Sequence, residues 1–320
     1  MSNTTILGID VAKAKFDACL VLSYGVRQNT FSNTPEGFAR LQSWLRAHAV
    51  QNLQVGLEAT GCYWMALAHE LHGWGIKVFL LNPAYVKAHA QAQGRRSKTD
   101  RVDARLIADY VAKHSCQAWE PLPAELEELR ELMRLYTDVT AMAASMRQRA
   151  EGLRTALARE VQGQVTASLQ NFAKKILQNA WDHARKNPSL RQPVEHLDSI
   201  PGVGLVTALI LVAELPRGRV ARSVAGWAGV TPRQFESGAT VHKKPKLCKQ
   251  GSDYVRHSLY WPAITALRWN PAMRAFGARL QAAGLNKMQI IGAAMHKLLR
   301  WAVGVIHAQK PFDCSLHATT

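Results

Sequence analysis

The chain has 320 residues, with 40 Lys and Arg against 23 Asp and Glu, so its net charge at pH 7 is +17. Single hydrophobic cores stop growing at about 250–300 residues, so this length predicts more than one domain. Apolar residues make up 48% and charged residues 20% of the chain, which excludes a disordered protein. The longest apolar run, residues 205–215, is shorter than the roughly 20 residues of a membrane span, so we expect no membrane partner.

The five cysteines are scattered and form no CxxC pair. This pattern excludes a disulfide scaffold or a zinc ribbon and favours a reducing compartment. The first residues lack the basic and apolar segments of a signal peptide. We therefore expect a cytoplasmic protein.

The positive charge is concentrated towards the C-terminus. Residues 1–120 carry 13 basic and 9 acidic groups, residues 121–199 carry 11 and 10, and residues 200–320 carry 16 and 4. A polyanion that binds the last third would gain affinity from counterion release. The alternative is a solvated basic surface that keeps the protein in solution.

Residues 1–120 alternate strand and helix signals. Strands are predicted at 5–10, 16–21, near 27–31, at 53–58 and at 76–81. Thr34 and Pro35 predict the start of a helix, and further helices are predicted at 63–72, 84–92 and 103–113. This order indicates an α/β sheet that begins with an antiparallel meander.

The rest of the chain reads as helical. A long amphipathic helix is predicted from Pro123 and a second one at 167–185, which favours either an antiparallel or intermolecular coiled coil or a plain helical bundle. Further helices follow in residues 200–310. Residues 229–251 lack apolar periodicity and predict a long loop, which in a helical domain is typical of function or disorder.

Four carboxylates occupy positions that a sheet of this kind exposes. Asp10 and Glu58 each end a predicted strand, and Asp100 and Asp103 lie three residues apart at a helix start, on one face. Strand ends and helix starts at one sheet edge can converge. Carboxylate oxygens are ligands for Mg²⁺, and two such ions can clamp the attacking and leaving oxygens of a phosphodiester.

Each of these acids also has a structural explanation, with one exception. Asp10 alone could be a turn residue, and Asp100 could form a capping box with Ser97. Asp103 would then be an acid that the helix dipole favours in the first turn. Glu58 ends an apolar strand and has no such explanation.

Four basic residues flank the acids at 100 and 103: Arg95, Arg96, Lys98 and Arg101. A phosphate backbone is the ligand that such a segment favours. The alternative is a solvated loop. The turn at residues 200–204 precedes a helix, so its amides could hold a phosphate or simply form a tight turn.

Ser237 precedes Gly238 on the polar segment 229–251. A serine can act as a nucleophile if its proton is removed or displaced, although a lone Ser-Gly pair is far more often a turn. Basic side chains on and near this segment are predicted to contact nucleic acid: Arg233, Lys243, Lys244, Lys246, Lys249 and Arg256.

Five segments together resemble the DEDD-type transposases of insertion-sequence family one-ten, the bridge-RNA-guided recombinases. They are GIDVAKAKFD from Gly8, LEATGCYW from Leu57, LNPAYVKAHAQAQGRRSKTDRVDARLIADY from Leu81, SIPGVG from Ser199 and AGVTPRQFESGATV from Ala228. The resemblance covers nearly the whole chain. It implies an α/β RNase H-like (RuvC-like) domain over 1–120, a helical coiled-coil segment over 121–190 and a mostly α-helical transposase domain over 191–320.

The resemblance also implies the chemistry. The family's acidic tetrad, which binds Mg²⁺ or Mn²⁺, corresponds to Asp10, Glu58, Asp100 and Asp103, and its nucleophilic serine corresponds to Ser237. The implied reaction is RNA-guided, site-specific DNA strand exchange through a phosphoserine intermediate. The implied partners are donor and target DNA, a guide (bridge) RNA and further copies of the chain, as a dimer and as a dimer of dimers in the synaptic complex. The implied location is the bacterial cytoplasm, at the nucleoid.

One segment departs from the family pattern. The family often has a Ser-Lys-x-Gly segment and a paired arginine after the serine loop, whereas this chain has Cys248-Lys249-Gln250-Gly251 and Arg256-His257. The resemblance therefore does not extend to the phosphate contacts of this segment, whereas it does extend to the catalytic set.

Two other functions remain open from the sequence. One is a RuvC-like, metal-dependent DNA junction nuclease in which Ser237 is a turn residue. The other is a non-catalytic RNA- and DNA-binding assembly protein. Loss of activity on removing the serine hydroxyl separates recombinase from nuclease, and metal-dependent cleavage separates both enzymes from the binding protein.

Overall fold

The computed structural model describes residues 4–50, 52–59, 61–94, 100–216, 221–237 and 241–314, with the backbone alone described at 100–102, 221–222, 234–237 and 241–245. The chain forms two compact units, residues 1–122 and 123–320. The first unit ends close to the predicted boundary at 120. The further division of the second unit near residue 190 stays a prediction.

The first unit contains a five-stranded mixed sheet. Its strands are β1 (Thr5–Val11), β2 (Lys15–Leu22), β3 (Gly25–Ser32), β4 (Leu53–Glu58) and β5 (Lys77–Leu81), in the order β3-β2-β1-β4-β5. The first three strands pair antiparallel, and β4 is parallel to both β1 and β5. The predicted α/β class and leading antiparallel meander are confirmed.

Helices cover both faces of this sheet. They are α1 (Pro35–Ala47), α2 (Met65–Gly73), α3 (Pro83–Ala92) and α4 (Asp100–Lys113). Leu7 of β1 is fully buried in a core with Leu41 of α1 and Leu67 of α2. Ile107 of α4 belongs to a second buried cluster with Val86 of α3. Because side chains alternate between the faces of a strand, α1 and α2 cover one face and α3 and α4 the other.

The second unit is mostly helical. Its elements are α5 (Ala124–Ala150), α6 (Ala156–Lys186), α7 (Pro188–Asp198), α8 (Leu205–Glu214), α9 (Ala221–Trp227), β6 (Pro232–Ser237), β7 (Val241–Leu247), α10 (Asp253–Trp269), α11 (Pro271–Ala282) and α12 (Lys287–Ala308). Among the helices of the described ranges, none combines the length and apolarity that a bilayer crossing requires.

Helices α5 and α6 form an antiparallel hairpin within the chain. Near its open end, the His183 Nε2 atom lies 2.7 Å from the Glu125 carbonyl oxygen, and near its turn the Gln162 side chain donates to the Met146 carbonyl oxygen. Helix α6 begins earlier than predicted because Thr155 accepts a hydrogen bond at its N-terminus. A coiled coil with a second chain stays a prediction.

A partly buried ion pair joins this hairpin to the remaining helices. The Arg134 guanidinium donates to both carboxylate oxygens of Glu214, at 2.6 and 3.0 Å, and Arg130 donates to the Ala213 carbonyl oxygen at 2.8 Å. Glu214 is 5% exposed. A buried carboxylate without these donors would be costly, so the pair fixes α5 against the end of α8.

The prediction of a loop at 229–251 is wrong in one respect, because this segment contains the two-stranded hairpin β6–β7. Its strands read PRQFES and VHKKPKL, without apolar alternation. The pairing is irregular between Arg233 and Phe235. Strands of this composition give no periodic apolar signal. Helix α7 was also not predicted.

Candidate active site and nucleic-acid interface

Asp10 and Glu58 lie side by side at the ends of two parallel strands. The register of β1 and β4 pairs Gly8 with Gly56, so the two acids follow at the same level, two residues further along. Adjacent strands lie about 4.8 Å apart, and residues two apart face the same side. Both acids are partly buried. The sheet therefore presents two neighbouring carboxylates on the face that carries the two glycines.

The same face is covered by α4, which packs directly on these glycines. A Cβ atom at Gly8 would overlap the carbonyl oxygen of Ala104, and a Cβ atom at Gly56 would lie 2.7 Å from the Val111 side chain. Asp103 directly precedes Ala104 on the helix. The close approach that glycine permits thus brings the first turn of α4, with Asp103, to the face of the two strand-end acids.

The remaining member of the acidic set is Asp100, the first residue of α4. Its side chain lies outside the described part of the structure, as does Ser97, so the capping-box alternative stays open. The predicted phosphate contacts Arg95, Arg96 and Lys98 also lie outside the described residues, and Arg101 is described by its backbone alone.

The acidic face offers oxygen ligands but not a complete cage. Within the described ranges, no three His, Cys, Asp or Glu side chains are close enough together to hold a metal ion. Mg²⁺ in proteins commonly keeps several waters and is bound through one or two carboxylates and substrate phosphates. The neighbouring carboxylates of Asp10 and Glu58 fit that donor set.

Asp17 is a further acid on this face that sequence reasoning missed. It lies on β2 directly opposite Asp10 and is 5% exposed. Its carboxylate accepts hydrogen bonds from the Thr30 hydroxyl at 2.5 Å and from Lys15 at 3.3 Å. The available signal was an acid inside the otherwise apolar run FDACLVL of β2. Its negative charge, beside Asp10, is paired with the Lys15 ammonium.

Another acid, which has a shifted pKa, lies away from this set among the described residues of the first unit. Asp109 of α4 is hydrogen-bonded by Lys113, by Gln93 and by the His89 ring, the last at 2.9 Å. Partial burial opposes its ionisation, but these donors outweigh burial and hold the pKa of the Asp109 carboxyl at about 2. The contacts join α3 to α4, so we assign Asp109 a structural role.

Ser237 is the last residue of β6 and pairs with Val241 of β7. Only the backbone is described here, and the connecting residues 238–240 lie outside the described ranges. The serine therefore lies at the end of a paired ribbon, where the ladder fixes its backbone position. A fixed backbone is what a group must have if it is to meet a phosphate reproducibly.

The hairpin carries several of the predicted nucleic-acid contacts. Arg233 is paired in register with Lys246, and both are exposed. Lys243 and Lys244 lie on β7 and are described by their backbone alone. Lys249 follows the hairpin, exposed, with a φ of 57°. Four of these cations belong to the hairpin and Lys249 follows it, and such a set is suited to a phosphate backbone.

Arg256 has partners within the protein. Its guanidinium pairs with Asp253 and donates to the Ala228 carbonyl oxygen at 3.3 Å, and the side chain is 11% exposed. These contacts tie α10 to the end of α9. Its contact with nucleic acid stays a prediction.

The turn before α8 is closely packed. Gly202 has a φ of 106°, and a Cβ atom there would lie 2.8 Å from Ala266 of α10. The Val203 amide donates to the Ile200 carbonyl oxygen at 2.8 Å. The tight turn thus has a packing role, and phosphate binding at its amides stays a prediction.

Comparison with known proteins identifies the family. A DEDD transposase model of the IS110 type matches residues 7–158, and the model described as "Transposase IS116/IS110/IS902 family" matches residues 194–278. Among solved structures, RuvC of T. thermophilus in complex with a Holliday junction substrate aligns with 36% of this chain and 99% of that chain, at 14% identity and a TM-score of 0.29.

Curated relatives match over the full length. Pilin gene-inverting proteins of Moraxella lacunata and Moraxella bovis are each 33% identical over 98% of this chain and 99% of their own length. The transposase for insertion sequence element IS1111A of Coxiella burnetii is 25% identical over 74% of this chain and 71% of its own length. The chain therefore belongs to the IS110 family of DEDD transposases.

Proposed function

We propose that this transposase catalyses site-specific DNA strand exchange by the combined action of a metal-binding acidic set and a nucleophilic serine. The observation that carries the proposal is the pair of strand-end carboxylates, Asp10 and Glu58, in register on the face where α4 begins. Asp103, and by family resemblance Asp100, complete the set. Bound Mg²⁺ or Mn²⁺ would supply positive charge to the scissile phosphate.

The chain's own residues divide the remaining work. The carboxylates orient the phosphate by fixing where positive charge is placed. The Ser237 oxygen forms a bond to phosphorus, the bond from phosphorus to one deoxyribose oxygen breaks, and the serine proton passes to that leaving oxygen or to solvent. Attack on the phosphoserine by a deoxyribose hydroxyl of the exchanged strand reverses these steps. The phosphodiester energy is retained, so no nucleotide cofactor is required.

The basic hairpin supports this assignment. Arg233, Lys246 and Lys249 are exposed on or directly after the ribbon that ends at Ser237. Cations so close in sequence to the nucleophile can hold the flanking phosphates of the substrate strand. We expect the DNA substrate to place the protein at the bacterial nucleoid, in the cytoplasm.

We further propose that the active form contains several copies of the chain. Strand exchange requires two DNA duplexes and therefore at least two serines. The acids belong to the first compact unit and Ser237 to the second, which permits different copies to supply them. A dimer that pairs into a dimer of dimers would provide the required number of nucleophiles.

Sequence selection is proposed to come from a guide RNA. The chain contains no zinc-finger or basic-zipper signature that could read two long DNA sequences. Base pairing to RNA delegates that task, and the protein then needs charge rather than a base-reading code. Protein purified from its native cells should carry one specific RNA. Site-specific recombination by RNA-free, nuclease-treated protein would contradict the guide.

The decisive experiment replaces the serine. Ser237→Ala removes the attacking oxygen with little change in volume, so DNA binding should persist while strand exchange is lost. Denaturing the wild-type protein during reaction should trap a protein–DNA adduct, and peptide mapping should place it on Ser237. Ser168→Ala, at an exposed position on α6, serves as the matched control.

The result also separates the alternatives. A metal-dependent junction nuclease would cleave DNA equally well after Ser237→Ala and would form no adduct. A binding protein would show no cleavage with any divalent metal. Either outcome would overturn the serine mechanism.

A further inference from the structure

A groove between α10, α11 and α12 combines an apolar floor with a basic rim. Its volume is about 530 Å³. Ile264, Leu267 and Ile290 contribute to the floor, and Arg268 and Arg274 to the rim. Gly277 keeps it open, because a Cβ atom at that position would lie 2.7 Å from the Leu267 side chain. We call this feature the α10 groove.

Two exposed tryptophans lie on α10, one of the helices that line the α10 groove. Trp261 is 71% exposed and Trp269 is 68% exposed, whereas tryptophan is on average a highly buried residue. Trp261 lies three residues before Ile264 and seven before Arg268, so these side chains share one face of α10. Trp269 ends the helix, with the Arg268 guanidinium 5.0 Å from the centre of its ring.

The charge around the groove has a single sign. Residues 254–312 include eight Lys and Arg and no Asp or Glu. None of the described residues that line the α10 groove carries a carboxylate, whereas Arg268, Arg274 and Lys287 all line it. An apolar cleft with three cations and no acid is complementary to a ligand that carries flat apolar rings and regularly spaced anions.

We propose that the α10 groove binds unpaired nucleotides of a nucleic-acid strand, with bases stacked on Trp261 and Trp269 and phosphates against Arg268 and Arg274. Aromatic platforms interleaved with cations are the general solution for single strands, because every base has a stacking face. That the ligand is a nucleic acid rests on the proposed function, whereas the location and the preference for unpaired bases rest on the groove itself.

The test measures binding of labelled oligo(U), oligo(dT) and a DNA duplex of matched length, by fluorescence anisotropy at fixed salt. Trp261→Ala and Trp269→Ala should each weaken single-strand binding about fivefold or more, the loss expected for one stacked base, and leave duplex binding unchanged. Trp261→Phe retains a stacking face and should recover most of the affinity. The RNA and DNA oligomers show which strand the groove prefers, and either preference supports the inference.

The matched control is Tyr24→Ala. Tyr24 is 65% exposed and has the Arg27 guanidinium 6.0 Å from its ring centre, but it lies in the first unit at the β2–β3 turn. Tyr24→Ala should leave the affinities for oligo(U), oligo(dT) and the duplex unchanged. Circular dichroism and thermal unfolding show whether each tryptophan variant is folded. If an alanine variant does not fold, the phenylalanine variant still tests the inference.

Three outcomes overturn the inference. Unchanged single-strand binding shows that the tryptophans do not stack on bases. Equal loss for single strand and duplex shows a contact to backbone only. A change in oligomeric mass without a change in binding shows that the surface is a protein interface. None of these affects strand exchange through Ser237, so the proposed function is tested separately.

Discussion

Gly8 and Gly56 decide how closely α4 approaches the acidic face. They are paired in adjacent strands, and the space above each is filled by the helix. Glycine is required at both positions by this contact alone, since neither has a positive φ. The absence of a side chain at Gly8 and Gly56 therefore sets the distance from the first turn of α4 to the strand-end acids.

Gly8→Ala should destabilise the first unit, because the added methyl overlaps the Ala104 carbonyl and forces α4 away from the sheet. Overpacking of this kind costs about 1–3 kcal/mol. Urea unfolding measures the loss, and DNA cleavage should fall with it. Gly73→Ala is the control, because nothing lies within 4 Å of its Cβ position. Equal stability of both variants would show that α4 moves freely.

Asp10→Asn and Asp103→Asn should each abolish DNA cleavage while leaving the fold intact. The amide keeps the size of the side chain but removes the negative charge that holds a divalent cation. Cleavage of supercoiled DNA in Mg²⁺ or Mn²⁺ measures the first effect and circular dichroism the second. Glu70→Gln, which retains an acceptor for the Trp74 indole, is the control. Full strand transfer by either purified aspartate variant would remove that residue from the metal set.

At the scale of elements, α3 and α4 are joined by the hydrogen bonds of Asp109. Its folded pKa of about 2 lies below the ordinary value of 3.8, so the carboxylate stabilises the folded state above about pH 4. That contribution decreases as the pH falls towards 2. Asp109→Asn should therefore cost about 1 kcal/mol near neutral pH, the scale of a partly exposed charged hydrogen bond.

The difference in unfolding free energy between wild type and Asp109→Asn should disappear between about pH 4 and pH 2. Urea unfolding at several pH values measures it. Lys113→Met should reduce the same difference, because Lys113 donates to Asp109 at 2.9 Å. A difference that is constant down to pH 2 would show that the pKa of Asp109 is the same in the folded and unfolded states.

The elements that the sequence predicts well are those with a core to cover. The sheet strands alternate or run apolar because both faces are buried, and the caps at Thr34 and Asn82 mark helix starts. The hairpin β6–β7 has no such pattern, since its strands are polar and contain Pro245. Helix α7 was hidden by Pro193 within it, because a proline inside a helical pattern ordinarily indicates a break.

The candidate site shows the same division. Asp10 and Glu58 could each be placed at the end of a strand, because strand ends follow from periodicity. The register that sets the two acids side by side on β1 and β4 could not be predicted, because it depends on the paired glycines and on the packing of α4. Asp17 was missed for a related reason. Only the antiparallel register of β1 and β2 brings it opposite Asp10.

For the whole molecule, the uneven charge is the main physical asymmetry. Residues 1–122 have a net charge of +4 and residues 123–320 a net charge of +13, with no charged residue at 121 or 122. Nucleic acid should therefore bind mainly through the second unit. Since released counterions drive such binding, affinity should fall steeply with salt.

Neutralising Lys243, Lys244 and Lys246 together to Gln should flatten the salt dependence of DNA binding. Each lost phosphate contact reduces the slope of log K against log salt by about 0.7–0.9, so three contacts reduce it by about 2–3. Anisotropy titrations at several salt concentrations measure the slope. Replacement of three lysines of α6, Lys174, Lys175 and Lys186, removes the same net charge elsewhere in the same unit and is the control. If both triple variants flatten the slope equally, DNA responds to the overall charge of the second unit rather than to the hairpin.

If the hairpin variant keeps the wild-type slope, its lysines face solvent in the complex and the hairpin does not contact the DNA phosphate backbone.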